Sequence, residues 1–172
     1  MSLTDLHLSI DQRVVAIRAE APDWLCAKGC ANCCRRLAEV PQLTEAEWAL
    51  LHEGLAALST EHLALIAQRM QALAQQTTRP LTCPMLDEAT NACPVYLQRP
   101  VVCRSYGFYA RRDGGLYCSE IEAQVAAGLH ATVVWGNHEA VERELAGMGE
   151  VRPLTEWFAR WQGEADGGGF PC

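Results

Sequence analysis

Four cysteines fall within nine residues, Cys26-Ala27-Lys28-Gly29-Cys30-Ala31-Asn32-Cys33-Cys34, with no acid among them and Arg35-Arg36 directly after. Thiols spaced this closely bring several soft sulfur donors toward one point, as a loop wrapped around a metal requires. Gly29 permits backbone conformations that other residues resist, so tight wrapping is possible there. Five more cysteines stand at 83, 93, 103, 118 and 172. Two of them precede proline, as Cys83-Pro84 and Cys93-Pro94, and a residue before proline is held extended. Two such pairs around residues 85–92 predict a short excursion whose ends converge.

Cys26, Cys30, Cys33, Cys34, Cys83, Cys93, Cys103 and Cys118 are the candidate ligands. Eight thiols suit two four-thiolate sites, or one cluster with spare thiols. Side chains of adjacent residues diverge by about 100° in a helix and face opposite ways in a strand. Cys33 and Cys34 therefore suggest two adjacent centres, a multinuclear cluster, or one cysteine that is not a ligand. Cys118 is the weak member of the set. On a straight strand it would stand opposite residues lying roughly 20–26 Å beyond Cys103, so sharing a site requires a bend, most readily at Gly107. Cys172, in a glycine-rich tail, is the least expected ligand. Arg99 and Arg104 flank Cys103 and are expected around the site as cations that offset crowded thiolates.

Zinc and an Fe–S cluster both accept four thiolates in a near-tetrahedral arrangement, and these spacings do not separate them. The Cys-Pro steps tilt the reading toward Fe–S. A sphere closed by four cysteines would be structural or would transfer electrons. An open position would instead make a metal-dependent enzyme, for redox chemistry or protein modification. A zinc-stapled protein-interaction module is the third reading, and it would show a large apolar patch away from the metal.

Taken together, Cys26-x-x-x-Cys30-x-x-Cys33-Cys34, Cys83-Pro84-x-Leu86 and Cys93-x-x-Tyr96-x-x-Arg99-Pro100-x-x-Cys103-Arg104 resemble the bacterial YkgJ-type CxxCxxCC cysteine-cluster family. The resemblance spans about residues 24–118. It implies a zinc- or iron-chelating domain, often described as containing an Fe–S cluster. Here three residues separate Cys26 from Cys30, where the pattern that names the family has two. Flagellin lysine N-methylases are similar over this domain, so the resemblance also admits lysine methylation, although no methyl-donor motif is recognisable here.

The elements that must position these thiols read mainly as helices. Leu6, Ile10, Val14 and Ile17 recur at helical spacing after a possible capping box at Ser9-x-x-Gln12, and Pro22 stops that helix. Thr44-x-x-Glu47 caps a second helix carrying Trp48, Leu51, Leu55 and Leu58. After Ser59-Thr60 a third helix presents Leu63, Ile66, Met70 and Leu73, and the short connection predicts an antiparallel pair. Residues 104–118 read as a β-hairpin turning at Asp113-Gly114-Gly115. Ser119-x-x-Glu122 looks like a further capping box, and Gly136-Asn137 can cap a helix with Val141 and Leu145. Pro153 suits the first turn of a last helix, whose Leu154, Trp157, Phe158 and Trp161 form a core stripe. His138-Glu139 begins like a zinc-protease motif, but Glu142 stands where its second histidine belongs, so that reading is discarded. The expectation is a single mainly α domain over residues 1–162, with irregular cysteine-rich loops, one small hairpin and a flexible tail over 163–172.

Charge and composition bound the partners. The 172 residues carry a net charge of −7, yet residues 26–36 and 79–118 together sum to +5 and the remainder to −12. Cations beside thiols lower the cost of ionising them. An acidic whole repels a polyanion, so nucleic acid is not the expected partner, and the aromatics of the hairpin read as core. The expected partner is a metal ion or cluster, and a protein partner is compatible with it. The sequence shows neither a signal peptide nor an apolar run long enough for a bilayer. A cytoplasmic location, where thiols stay reduced, is the expectation, and an odd count of nine cysteines suits no complete disulfide framework.

Overall fold

A computed structural model describes residues 1–167. The fold is mainly α, as the sequence predicts, with short strands that tie distant segments together. The first helix, α1 (Leu3–Glu20), begins earlier than the Ser9 signal suggested. Ser2 and Asp5 form the capping box, with the Ser2 hydroxyl accepting from the Asp5 amide at 3.1 Å. Ser9 is about two turns further in, where a capping side chain has no free amide to satisfy. After a one-turn helix α2 (Asn32–Arg35), strand β1 (Gln42–Thr44) runs into α3 (Glu45–Ala56), and Ser59 caps α4 (Thr60–Gln75).

A 3-10 turn at Tyr96–Gln98 precedes α5 (Val101–Ser105), a short helix where the hairpin was expected to begin. Pro100, with its fixed φ, starts it. The hairpin is therefore confined to β2 (Tyr109–Arg111) and β3 (Gly114–Leu116), paired antiparallel with Tyr109 opposite Leu116. α6 (Ser119–Ala126) follows with Cys118 as its N-cap, so Ser119 is inside the helix and makes no capping box. β4 (Gly136–Asn137) lies parallel to β2, and Asn137 caps α7 (His138–Leu145) as anticipated. β5 (Val151–Pro153) pairs with β1, Gln42 opposite Pro153, before α8 (Leu154–Gly167). Pro153 ends that strand, where the missing N–H of proline is tolerated at an edge.

Two clusters of buried side chains result. The first joins Leu6, Ile10 and Ile17 of α1 to Trp24, Val101, Phe108, Tyr109, Ile121 and Val141. The second joins Leu43, Leu51, Leu55, Ile66 and Met70 to Val95, Leu154, Trp157 and Phe158. α3 and α4 both feed the second cluster, but α4 packs chiefly on α8, and α3 on β1 and the 3-10 turn. Glu47 links the clusters from the capping box at Thr44. One carboxylate oxygen accepts from the Thr44 amide at 2.9 Å and the other from the Val101 amide at 2.9 Å, at the start of α5. No helix among the described residues is long and apolar enough to cross a membrane. Cys172, and the end of the tail expected over 163–172, lie outside the described residues.

Candidate metal centre

The cysteine segments are brought together by backbone pairing. Gly29, at φ +94°, lets the chain reverse so that the Cys30 amide donates to the Ala27 carbonyl at 3.0 Å. α2 then carries Cys33 and Cys34. Leu37 and Leu81 form an antiparallel bridge, and the Cys83 amide donates to the Cys34 carbonyl at 2.6 Å. The excursion over residues 85–92 closes on itself as expected, with the Asp87 amide donating to the Ala92 carbonyl at 2.9 Å, which returns Cys93 toward Cys83. α5 presents Cys103. Gly107, at φ +87°, bends the chain between α5 and β2, and a side chain there would meet the Cys26 sulfur at 3.1 Å. That bend, with the short hairpin, brings Cys118 back to the site.

All eight described cysteines are free thiols of intermediate exposure. Their electrostatic neighbours overlap at the α2 pair. Burial first, and then the nearby Cys33, Cys30 and Cys118, push the Cys26 thiol up to about 12, against the pull of Arg18. For Cys34, contact with Cys33 pulls the pKa down, but the Cys83 thiol and burial outweigh it and leave it at about 11. Burial pushes Cys93 up to about 11, with Cys34 and Cys33 adding to it. Burial also raises Cys103, with Cys33, Cys34 and Cys93 beside it. Cys26 thus feels Cys30, Cys33 and Cys118, while Cys93 and Cys103 feel both members of the α2 pair, so Cys33 and Cys34 stand where the neighbourhoods overlap.

The Cys33 and Cys34 sulfurs are 3.9 Å apart. That separation differs from the divergence expected of adjacent residues, since the two side chains approach each other instead of pointing apart. Four thiolates at about 2.3 Å from one metal stand roughly 3.8 Å apart, so this pair matches one edge of such a tetrahedron. Among the described residues, no three Cys, His, Asp or Glu side chains close around one point as a ready-made ion site. The donor set nonetheless fits a thiophilic metal. Crowded, partly buried thiols resist ionisation singly, and a bound cation removes both penalties at once.

The two arginines occupy different positions. The Arg99 guanidinium lies over the Tyr96 ring at 3.4 Å and donates to the Tyr96 carbonyl at 2.8 Å. Its charge acts to lower the pKa values of Cys34, Cys93 and Cys103. Lys28, from the first cysteine loop, approaches the same ring at 5.3 Å. Arg104 instead pairs with Asp11 of α1 at 3.0 Å and donates to the carbonyls of Arg99 and Leu97. It reaches the cysteines through the backbone of Arg99. Residues missed from the sequence are Glu47, which starts α5, and Arg18, which donates to the Cys26 carbonyl at 2.8 Å. The Thr44-x-x-Glu47 spacing signalled a cap but could not reveal the second acceptor role of Glu47.

A search of curated proteins and one of solved structures returned no match. Residues 25–126, more than half of the chain and nearly the stretch marked out by the cysteine motifs, match a family model. That family is CxxCxxCC, "Putative zinc- or iron-chelating domain", and the chain belongs to this metal-binding family.

Proposed function

We propose that this protein holds a thiolate-ligated metal centre, an Fe–S cluster or zinc, and uses it to stabilise the fold or to carry electrons. Its thiolates come from the eight cysteines at 26, 30, 33, 34, 83, 93, 103 and 118, with the Cys33–Cys34 pair at the middle. The observation that carries the reading is the 3.9 Å approach of the Cys33 and Cys34 sulfurs, the length of one edge of a four-thiolate tetrahedron. Eight cysteines are enough to close the coordination with four thiolates, which suits structure and electron transfer better than substrate activation. Iron–sulfur is the first assignment, since both Cys83 and Cys93 are followed by proline, a step familiar in Fe–S ligation. Free thiols throughout the described residues suit a reducing compartment, and we place the protein in the cytoplasm on that ground.

The test is metal and acid-labile sulfide analysis, with a visible absorption spectrum, on protein purified without oxygen. Iron with sulfide and a coloured protein supports the cluster. Zinc alone, in colourless protein, replaces the cluster by zinc-thiolate sites. Cys30→Ser should lower the metal content and Cys172→Ser should leave it intact. Protein that carries neither metal would end the proposal.

A further inference from the structure

The Leu37–Leu81 bridge is closed by both of its backbone hydrogen bonds, each 2.9 Å long, and it holds the segment after α2 against the one that leads to Cys83. Beside it, the Cys83 amide donates to the Cys34 carbonyl at 2.6 Å. With standard bond lengths, that contact leaves the two Cα atoms no more than about 6.5 Å apart. A disulfide requires Cα atoms about 4.4–6.8 Å apart. Contact with Cys33 is the largest influence on the Cys34 thiol and contact with the Cys83 thiol the second, so the Cys34 and Cys83 side chains turn toward each other. Cys33 also approaches Cys34, at 3.9 Å between sulfurs. Adjacent Cα atoms, however, are fixed about 3.8 Å apart across a trans peptide, below the range a disulfide accepts. Cys34 and Cys83 are both free and partly exposed, so a small reagent can reach them.

We propose that Cys34 and Cys83 are a disulfide-forming pair, oxidised reversibly by a low-molecular-weight disulfide. The thiolate of one cysteine attacks a sulfur of the reagent, which forms a mixed disulfide and releases one small thiol. The other cysteine then attacks the protein sulfur of that mixed disulfide, and the second small thiol leaves. The S–S bond of the reagent breaks and the Cys34–Cys83 bond forms. Two electrons and two protons pass from the cysteines to the reagent, so the exchange balances without oxygen. Cross-links of this reversible kind are the ones that reducing compartments contain. The bond closes a ring around β1, α3 and α4, which lie between the two cysteines in the chain. The inference does not rest on the metal-centre reading. Where a thiolate centre forms, the disulfide takes two thiols out of its donor set, and oxidation then opposes loading.

The experiment equilibrates the full-length protein, without oxygen and with a chelator present, in graded mixtures of glutathione and glutathione disulfide. Free thiols are blocked with one alkylating reagent, the sample is reduced, and a second reagent marks the cysteines that were oxidised. Mass spectrometry of the peptides then reads each cysteine, and unreduced samples show which two are joined. Cys34 and Cys83 should become oxidised together and be joined to each other. They should need about tenfold less glutathione disulfide than the next pair, a potential about 30 mV more negative. Cys83→Ser should leave Cys34 reduced at that point, while Cys33→Ser should leave the Cys34–Cys83 bond intact. Oxidation that joins Cys34 first to Cys33 or to any cysteine other than Cys83 would overturn the pair. So would glutathione adducts without a cross-link, or no cross-link at all, and the mapping of the unsubstituted protein decides this even where a variant fails to fold. Metal content, measured separately on untreated protein, bears on the centre alone, so the two readings fail on different measurements.

Discussion

Arg99 and Arg104 look equivalent in the motif that encloses Cys103, yet their surroundings give them different work. Arg99 is fixed over Tyr96 with its charge toward three thiols, so Arg99→Ala should reduce metal affinity about 10–100-fold while the protein stays folded. Metal retention against a graded chelator measures this, and Arg99→Lys should recover only part, because an ammonium lacks the planar fork. Retention equal to that of the wild type would remove Arg99 from the centre. Arg104 is only 9% exposed and joins α1 to α5, so Arg104→Ala should chiefly lower stability. His7 lies in the same region, buried, with no partner for its Nε2. Burial, then Arg104, push its pKa down to about 4, with Asp11 opposing and Arg99 adding. In the unfolded chain it titrates near 6.5, so between those values the unfolded state takes up a proton that the folded state refuses. Stability should therefore fall as pH drops through that window and be unaffected by His7 above it. His7→Leu should flatten this dependence in denaturant midpoints taken at about pH 7 and pH 5. Parallel pH curves for the two proteins would show that His7 contributes nothing to acid sensitivity.

At the scale of the elements, the decisive parts are the connections. Gly107→Ala combines a φ of +87° with a methyl group 3.1 Å from the Cys26 sulfur. It should cost about 1–2 kcal/mol in backbone strain, since only glycine takes that conformation freely. It should also displace Cys26, so metal stoichiometry should fall alongside the melting temperature. Full metal content with unchanged melting would show that the bend is not what holds Cys26 and Cys118 together. The sequence made much of this legible. Spacing identified α3, α4 and α8, the closing of residues 85–92, and Gly107 as the point of bending. It misplaced the start of α1 because Ser9-Gln12 and Ser2-Asp5 both read as capping pairs, and only the packing of Leu6 and Ile10 distinguishes them. The short strands were invisible for a different reason. β4 and β5 have two and three residues, too few for an alternating pattern, and they form because distant chain segments meet. The close approach of the Cys33 and Cys34 sulfurs was likewise unreadable, because spacing does not encode side-chain conformation or which core each loop rests against.

Across the whole molecule, the cysteines lie between the two hydrophobic clusters. Cys26 and Cys118 pack on the cluster built around α1 and Trp24, while Cys83 and Cys93 pack on the cluster of α3, α4 and α8. The segments that bring them there, residues 21–31 and 76–95, contain no helix or strand. Ordering such backbone costs about 1–2 kcal/mol per residue, and a few bridges such as that of Leu37 with Leu81 offset little of it. A metal bonded to sulfurs from both sides would hold the loops and join the clusters, so its binding free energy would appear as folding free energy. Removing it should lower the melting temperature substantially, and the loss should be uneven. The helices α3, α4 and α8 share their own buried contacts and are tied by the pairing of β1 with β5. Their amides should stay largely protected from hydrogen exchange in metal-free protein. Residues 24–36 and 101–118 depend on the loops and should exchange far faster. Hydrogen exchange read by mass spectrometry, before and after chelation, separates these outcomes. An unchanged melting curve with full protection over 24–36, in protein shown to be free of metal, would mean that apolar packing alone assembles the cysteine loops. Uniform loss of protection would instead mean that the cluster of α3, α4 and α8 cannot stand without the metal.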